Sequence, residues 1–292
     1  MAEKNLFSVK SSPTCDLGCI ANCFIPRHTV VLIEMPILFG EGIRKSFAYH
    51  RDGTHACQMD DDMFLALECG LDDETRDTLW ELHDQFIPTY KIQEKRVYGI
   101  IKSNAFTNSA MVPYETVPQG LYPIGSRMNH SCSPNVGYDF VDGWNIRMYT
   151  VRDVQKGEEL QITYTDLVYH PRDMRQAFMR ERFLFDCNCP ACCPKDAGQI
   201  RISDERRARL QELALQIAAR RLGDETTSVQ SCDLDMLMEC MELLVAEGID
   251  HSSLPLYKLA YNLAVRLEDW QRIEQLKEQS QALEQLVPLQ SA

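Results

Sequence analysis

Three short blocks, taken in their order, constrain this chain more than any hydrophobic pattern does. Arg127-Met128-Asn129-His130-Ser131-Cys132-Ser133-Pro134-Asn135 comes first, Gly157-Glu158-Glu159-Leu160-Gln161-Ile162-Thr163-Tyr164 second, and Phe185-Asp186-Cys187-Asn188-Cys189-Pro190-Ala191-Cys192 third. Any one of them could arise by chance, but together they point to one assembled site. Cys187, Cys189 and Cys192 offer three thiolates at convincing metal-ligand spacing, one fewer than the four a structural zinc takes. Cys193 is a candidate for the fourth, although a ligand adjacent to Cys192 in sequence strains a tetrahedron.

Composition narrows the partners. With 43 acidic against 30 basic residues and a formal charge of -13, the chain is a poor match for a phosphate backbone and a better one for a cationic ligand or peptide. Direct nucleic-acid binding is therefore not expected. Met1-Ala2-Glu3-Lys4-Asn5 lacks the pattern of a secretory signal and no apolar run is long enough to span a bilayer, so a soluble intracellular protein with no membrane partner is expected. In that setting twelve cysteines read as metal ligands and buried thiols rather than disulfides. Cys15, Cys19 and Cys23 form a CxxxCxxxC run in a strand-like segment, where cysteine serves as a small apolar residue. His50, His55, Cys57 and Cys69 are irregularly spaced and read as a solvated loop.

The chain changes character along its length. Gly18 to Leu38 alternates β-branched runs with turn residues and predicts a hairpin followed by a strand over Thr29 to Ile33. Asp60-Asp61-Asp62 and Asp72-Asp73-Glu74 precede apolar residues at helical intervals (Met63 and Leu67; Leu79, Leu82 and Phe86) and read as helix N-termini. From Val97 to Thr165 strand and turn signals return, Trp144 to Tyr149 being the clearest strand. Arg201 to Leu222, Leu234 to Ala246, Leu256 to Leu267 and Trp270 to Leu286 carry apolar residues at three- and four-residue steps and predict antiparallel helical hairpins.

The three blocks resemble the core of a SET-domain methyltransferase, of the split class found in SET-and-MYND proteins. Leu17-Gly18-Cys19-Ile20-Ala21 is similar to its GxG-x-[FI]-A entry motif and Asn104-Ala105-Phe106 to the start of its second half. Cys57 and Cys69 cannot furnish the two zinc sites of a MYND finger, so fungal SET proteins without that finger are the nearer likeness. The resemblance implies an α+β fold: a β-rich SET domain in halves at 14–39 and 97–170, a helical insertion at 40–96, a zinc-binding post-SET segment at 171–194 and an all-helical lobe at 195–292.

The same resemblance implies transfer of methyl from S-adenosylmethionine to the ε-amine of a protein lysine, histone or other, by a monomer in the cytoplasm, the nucleus or both. It puts Leu17, Gly18, Cys19, Asn104, Asn129, His130, Tyr164 and Phe185 around the cofactor and makes Tyr164 catalytic. Thr163 and Phe183 would line the substrate channel, and Cys132 would complete a zinc site with Cys187, Cys189 and Cys192. Three positions depart from the pattern: Asp16 replaces the first glycine of the entry motif, His28 a turn glycine, and Phe183 a common tyrosine. A SET pocket repurposed for a small molecule, and a non-catalytic binding module, are the alternatives.

Overall fold

The structure is a computed structural model, and it describes residues 5–12, 17–40, 71–87, 97–107, 119–142, 144–194, 196–224, 226–249 and 254–284. Cys15, Asp16, His50, His55, Cys57, Asp60, Asp61, Asp62, Met63, Leu67 and Cys69 lie outside the described residues.

Ten strands are described: Phe7–Lys10 (β1), Gly18–Ala21 (β2), Val30–Glu34 (β3), Leu38–Gly40 (β4), Phe106–Thr107 (β5), Gln119–Leu121 (β6), Asn129–His130 (β7), Val136–Val141 (β8), Asn145–Thr150 (β9) and Glu159–Ile162 (β10). They form three small sheets, in orders β1-β2-β10-β7, β3-β9-β8 and β4-β6-β5. The hairpin predicted within Gly18 to Leu38 is instead β1 with β2, and β3 pairs with β9 in another sheet. Period-2 patterning identifies a strand but not its partner, which explains the difference.

The first sheet assembles the site. β10 lies antiparallel to β2 and parallel to β7, with Gln161 opposite Asn129 and Ile162 opposite His130. Two of the three blocks, with the entry segment, are thus hydrogen-bonded neighbours. Asn135 locks the arrangement: its side chain donates to Glu159 O at 2.7 Å and accepts from Gln161 N at 2.7 Å, while its own N–H reaches Gln161 O. Beneath lies a core of Cys19, Ile25, Met128, Val136, Ile146, Met148, Leu160 and Ile162.

Asp72 caps the helix Asp73–Glu81 (α1) by accepting from Thr75 N, with Asp73 and Glu74 at its positive end. The next helix, Val97–Asn104 (α2), occupies a stretch whose β-branched residues predict strand. Val97, Ile100 and Ile101 recur at helical spacing and bury against Leu79 and Leu82, so tertiary packing overrides local propensity.

Arg172–Phe183 (α3) follows a 3-10 turn at Asp166–Tyr169, and four longer helices complete the described chain: Ala197–Arg220 (α4), Ser231–Ala246 (α5), Leu254–Arg266 (α6) and Trp270–Glu284 (α7). These match the four predicted helical stretches. α4 packs on α5, α5 on α6 and α6 on α7, around Leu234, Leu237, Met241, Ala260, Leu263 and Leu276. No helix among the described residues is long and apolar enough to cross a membrane.

Candidate functional site

The centre of the site is where β2, β7 and β10 end beside α3 and the cysteine segment. Gly18 comes close to both blocks there: a Cβ on it would stand 2.3 Å from Glu159 Oε1 and 3.0 Å from Asn129 Nδ2, so the Glu159 side chain would have to shift. Asn129 donates to Leu17 O at 2.9 Å and to Glu159 Oε1 at 2.6 Å, and Ser12 donates to the same carboxylate oxygen. The entry segment and the two following blocks therefore share one hydrogen-bonded cluster. Cys19 is buried in β2, its thiol pushed up to about 12 by burial and then by Glu159 and Glu34, as suits a core residue. Cys23 packs partly buried against the same core.

After β10 the chain turns sharply. Thr163 Oγ1 donates to Thr165 O at 2.7 Å, and Thr165 caps the following 3-10 turn. This presents Tyr164, whose hydroxyl donates to Met128 O at 2.9 Å and whose backbone N–H donates to His130 Nδ1 at 3.1 Å. A ring nitrogen that accepts cannot carry the proton, so His130 is the tautomer protonated at Nε2, which lies 3.3 Å from Cys132 Sγ. Burial, ahead of every other influence, pulls His130 down to about 4 and keeps it neutral.

Four half-buried or buried rings are gathered here. Tyr164 is tilted against Phe183 at 5.2 Å and against His130 at 5.3 Å, and His130 lies 6.2 Å from Phe185. Tyr164, Phe183 and Phe185, with Asn129 and Thr163, are only partly buried, and Leu17 is exposed, so these residues keep surface to offer a ligand. Asn104 is placed differently: its amide donates to Ile100 O at 2.6 Å and His83 O at 2.7 Å, tying the end of α2 to the chain after α1.

The sulfurs of Cys132, Cys187, Cys189 and Cys192 all lie within 4.8 Å of one another, and all four residues are buried. Cys132 Sγ stands 3.6 Å from Cys192 Sγ and 4.0 Å from Cys187 Sγ, and its N–H points at Cys189 Sγ at 3.3 Å. A zinc with four bonds to sulfur of about 2.3 Å needs sulfurs about 3.8 Å apart, so the donor set fits a metal ion of that kind. Cys193, the competing fourth ligand, is exposed and turned to Asn188. Hydrogen bonds from Cys132, Cys187 and Cys192 hold the Cys189 thiol below its ordinary value, while bonds to Cys187, Cys189 and Cys192 push Cys132 up.

Several residues that hold this site escaped sequence reasoning. Gln176 of α3 accepts from Cys187 N at 3.0 Å and donates to Cys187 O at 2.6 Å, and Arg172 donates to Cys192 O at 2.6 Å. Glu34 of β3 accepts from Ile124 N and Gly125 N, both at 2.8 Å, fixing the turn that feeds the first block. Buried Arg207 of α4 donates to Val168 O and, at 3.4 Å, to Cys132 O. The clue for α3 is a face of Arg175, Gln176 and Met179, too polar for an apolar periodicity to register.

A SET domain family model matches residues 16–165. Over 213 residues, or 71% of this chain and 57% of the relative, the sequence is 29% identical to histone-lysine N-methyltransferase set5 of Schizosaccharomyces pombe. Human histone-lysine N-methyltransferase SMYD3 is 34% identical over 112 residues, which is 38% of this chain and 25% of that protein. Chicken protein-lysine N-trimethyltransferase SMYD5 is 35% identical over 114 residues, 38% of this chain and 26% of that protein. The chain thus spans 57% of the first relative and about a quarter of the other two. The matched span runs from the residue before Leu17 to the one after Tyr164 and so takes in Leu17, Asn129 and Glu159 of the hydrogen-bonded cluster: the chain belongs to the SET-domain family.

Proposed function

We propose that this protein is an S-adenosylmethionine-dependent protein-lysine N-methyltransferase. The single observation that carries the reading is the parallel pairing of β7 with β10, which sets Asn129 and His130 directly beside the turn bearing Tyr164, in a chain whose relatives are lysine methyltransferases by name. S-adenosylmethionine, when bound, supplies a methyl group activated by its sulfonium. Leu17, Gly18, Cys19, Asn104, Asn129, His130, Tyr164 and Phe185 are the residues that would hold it. The half-buried aromatic faces suit a flat heterocycle, and the backbone at Leu17 and Gly18 is held in place by Asn129.

Tyr164, Phe183 and Phe178 form a run of rings that suits the aliphatic stem of a lysine and disfavours a charged amine by desolvation. With its proton committed to Met128 O, the Tyr164 hydroxyl acts as an acceptor, the role needed to align a methyl through weak CH···O contacts and to orient the incoming amine. Thr163 shapes the turn that aims it. The four-cysteine cluster would hold zinc as a structural clamp, tying the segment that carries Phe183 and Phe185 to the first block through Cys132.

The acidic balance of the chain supports a basic protein or peptide as substrate. A monomer acting in the cytoplasm, the nucleus or both completes the proposal. The SET halves at 14–39 and 97–170, the insertion at 40–96, the post-SET segment at 171–194 and the lobe at 195–292 remain the proposed division. Tyr164→Phe tests the reading: turnover should fall about a hundredfold with cofactor affinity by calorimetry nearly unchanged, since the hydroxyl acts in the transition state. An unaltered rate would remove Tyr164 from the mechanism.

A further inference from the structure

Arg175 is a fully buried cation with an odd set of partners. It projects from α3 and is 0% exposed. Its NH2 group lies 3.3 Å from Ala191 O and 3.8 Å from Cys192 Sγ, and NH1 donates to His170 O. Nε finds no hydrogen-bond partner, and no carboxylate among the described residues pairs with it. A buried guanidinium without a counter-charge is strongly destabilising, and a well-packed interior does not keep one without a compensating anion.

A second buried cation sits close by. Arg207, also 0% exposed, pairs with Glu247 at 2.8 Å and reaches Cys132 O. Glu247 balances Arg207 and leaves Arg175 unmatched. The nearest group able to supply negative charge is the set of four sulfurs. As four thiols they supply none, whereas a divalent zinc with four thiolates carries a net double negative charge.

We infer that Arg175 is the built-in counter-ion of a metal–thiolate centre: its guanidinium neutralises part of the charge of Cys132, Cys187, Cys189 and Cys192 around a zinc ion and so sets how tightly the metal is held. The inference rests on the zinc reading of the cluster and adds to it a residue that contacts a ligand sulfur without itself being a ligand. It makes the charge of Arg175, rather than its packing, the source of its effect. Arg175 therefore stabilises the metal-loaded protein and burdens the metal-free one.

The test uses the full chain with zinc content measured first, then zinc release to a chromophoric chelator and thermal unfolding with and without the metal. Arg175→Met should release zinc about ten- to a hundredfold faster. It should lower the melting temperature of the zinc-loaded protein while leaving the zinc-free protein equally stable or more so. Arg175→Lys, which keeps the charge, should stay much closer to wild type in release rate. It provides the readout even if Arg175→Met does not fold. Unchanged release in Arg175→Met, an equal loss of melting temperature in both metal states, or Arg175→Lys releasing zinc at least ten times faster than wild type would overturn the inference. Wild-type protein without metal would overturn the zinc reading as well, whereas a zinc-loaded wild type with indifferent variants would overturn this inference alone.

Discussion

On the proposed zinc reading, replacing the sulfur of Cys132 by oxygen takes a soft donor from a buried cluster whose other members come from a segment more than fifty residues downstream. Cys132→Ser should therefore lower zinc content or speed its loss, whereas Cys193→Ser, at an exposed thiol turned away from the cluster, should leave zinc binding unchanged. Equal zinc retention in both variants, read by elemental analysis after dialysis against a chelator, would overturn the ligand assignment. His130 marks what was harder to foresee at this scale. Sequence reading places it beside the cofactor, and the structure shows both of its nitrogens engaged inside the protein, with Tyr164 N and Cys132 Sγ. A motif identifies which residues meet, but the tautomer and partners of a histidine depend on the packing around it.

Among the elements, the two-residue strand β7 is held less by its own ladder than by Asn135. Asn135→Ala would leave Glu159 O and Gln161 N, both in partly buried residues, without their side-chain partner, at a cost of about 2–4 kcal/mol for two groups. Urea denaturation should show that loss, and a change within about 0.5 kcal/mol would mean that the pairing of β7 with β10 does not depend on it. The long helices of the C-terminal region and strand β9 were legible because their apolar periods are strong. The α2 helix was not, since Val97, Ile100 and Ile101 look like strand residues until Leu79 and Leu82 are there to receive them. α3 was hidden because the face it buries is built from Arg175 and Gln176, whose partners lie on Cys187, Ala191 and Cys192. Buried polar residues with distant partners leave no local period to read.

At the scale of the molecule, the helical region is joined to the site by charge as well as by packing. Glu247 accepts from Arg207 at 2.8 Å and from Ser203 at 2.6 Å, and Arg207 in turn holds Val168 O just beyond Tyr164. Glu247→Gln leaves Arg207 buried without its counter-charge and should cost about 3–5 kcal/mol, seen as an earlier thermal transition for α4 and α5. An unshifted transition would mean that the Glu247 charge does not compensate the buried Arg207. The central claim, that the assembled blocks transfer methyl groups to protein lysine, is tested most directly by incubating the purified chain with methyl-labelled S-adenosylmethionine. Histones, whole-cell protein and a small-molecule extract serve as separate acceptors, and the labelled protein is hydrolysed to amino acids. Label recovered as methylated lysine, and lost with Tyr164→Phe, is the expected result; label confined to the small-molecule extract, or absent from every acceptor, would contradict the account.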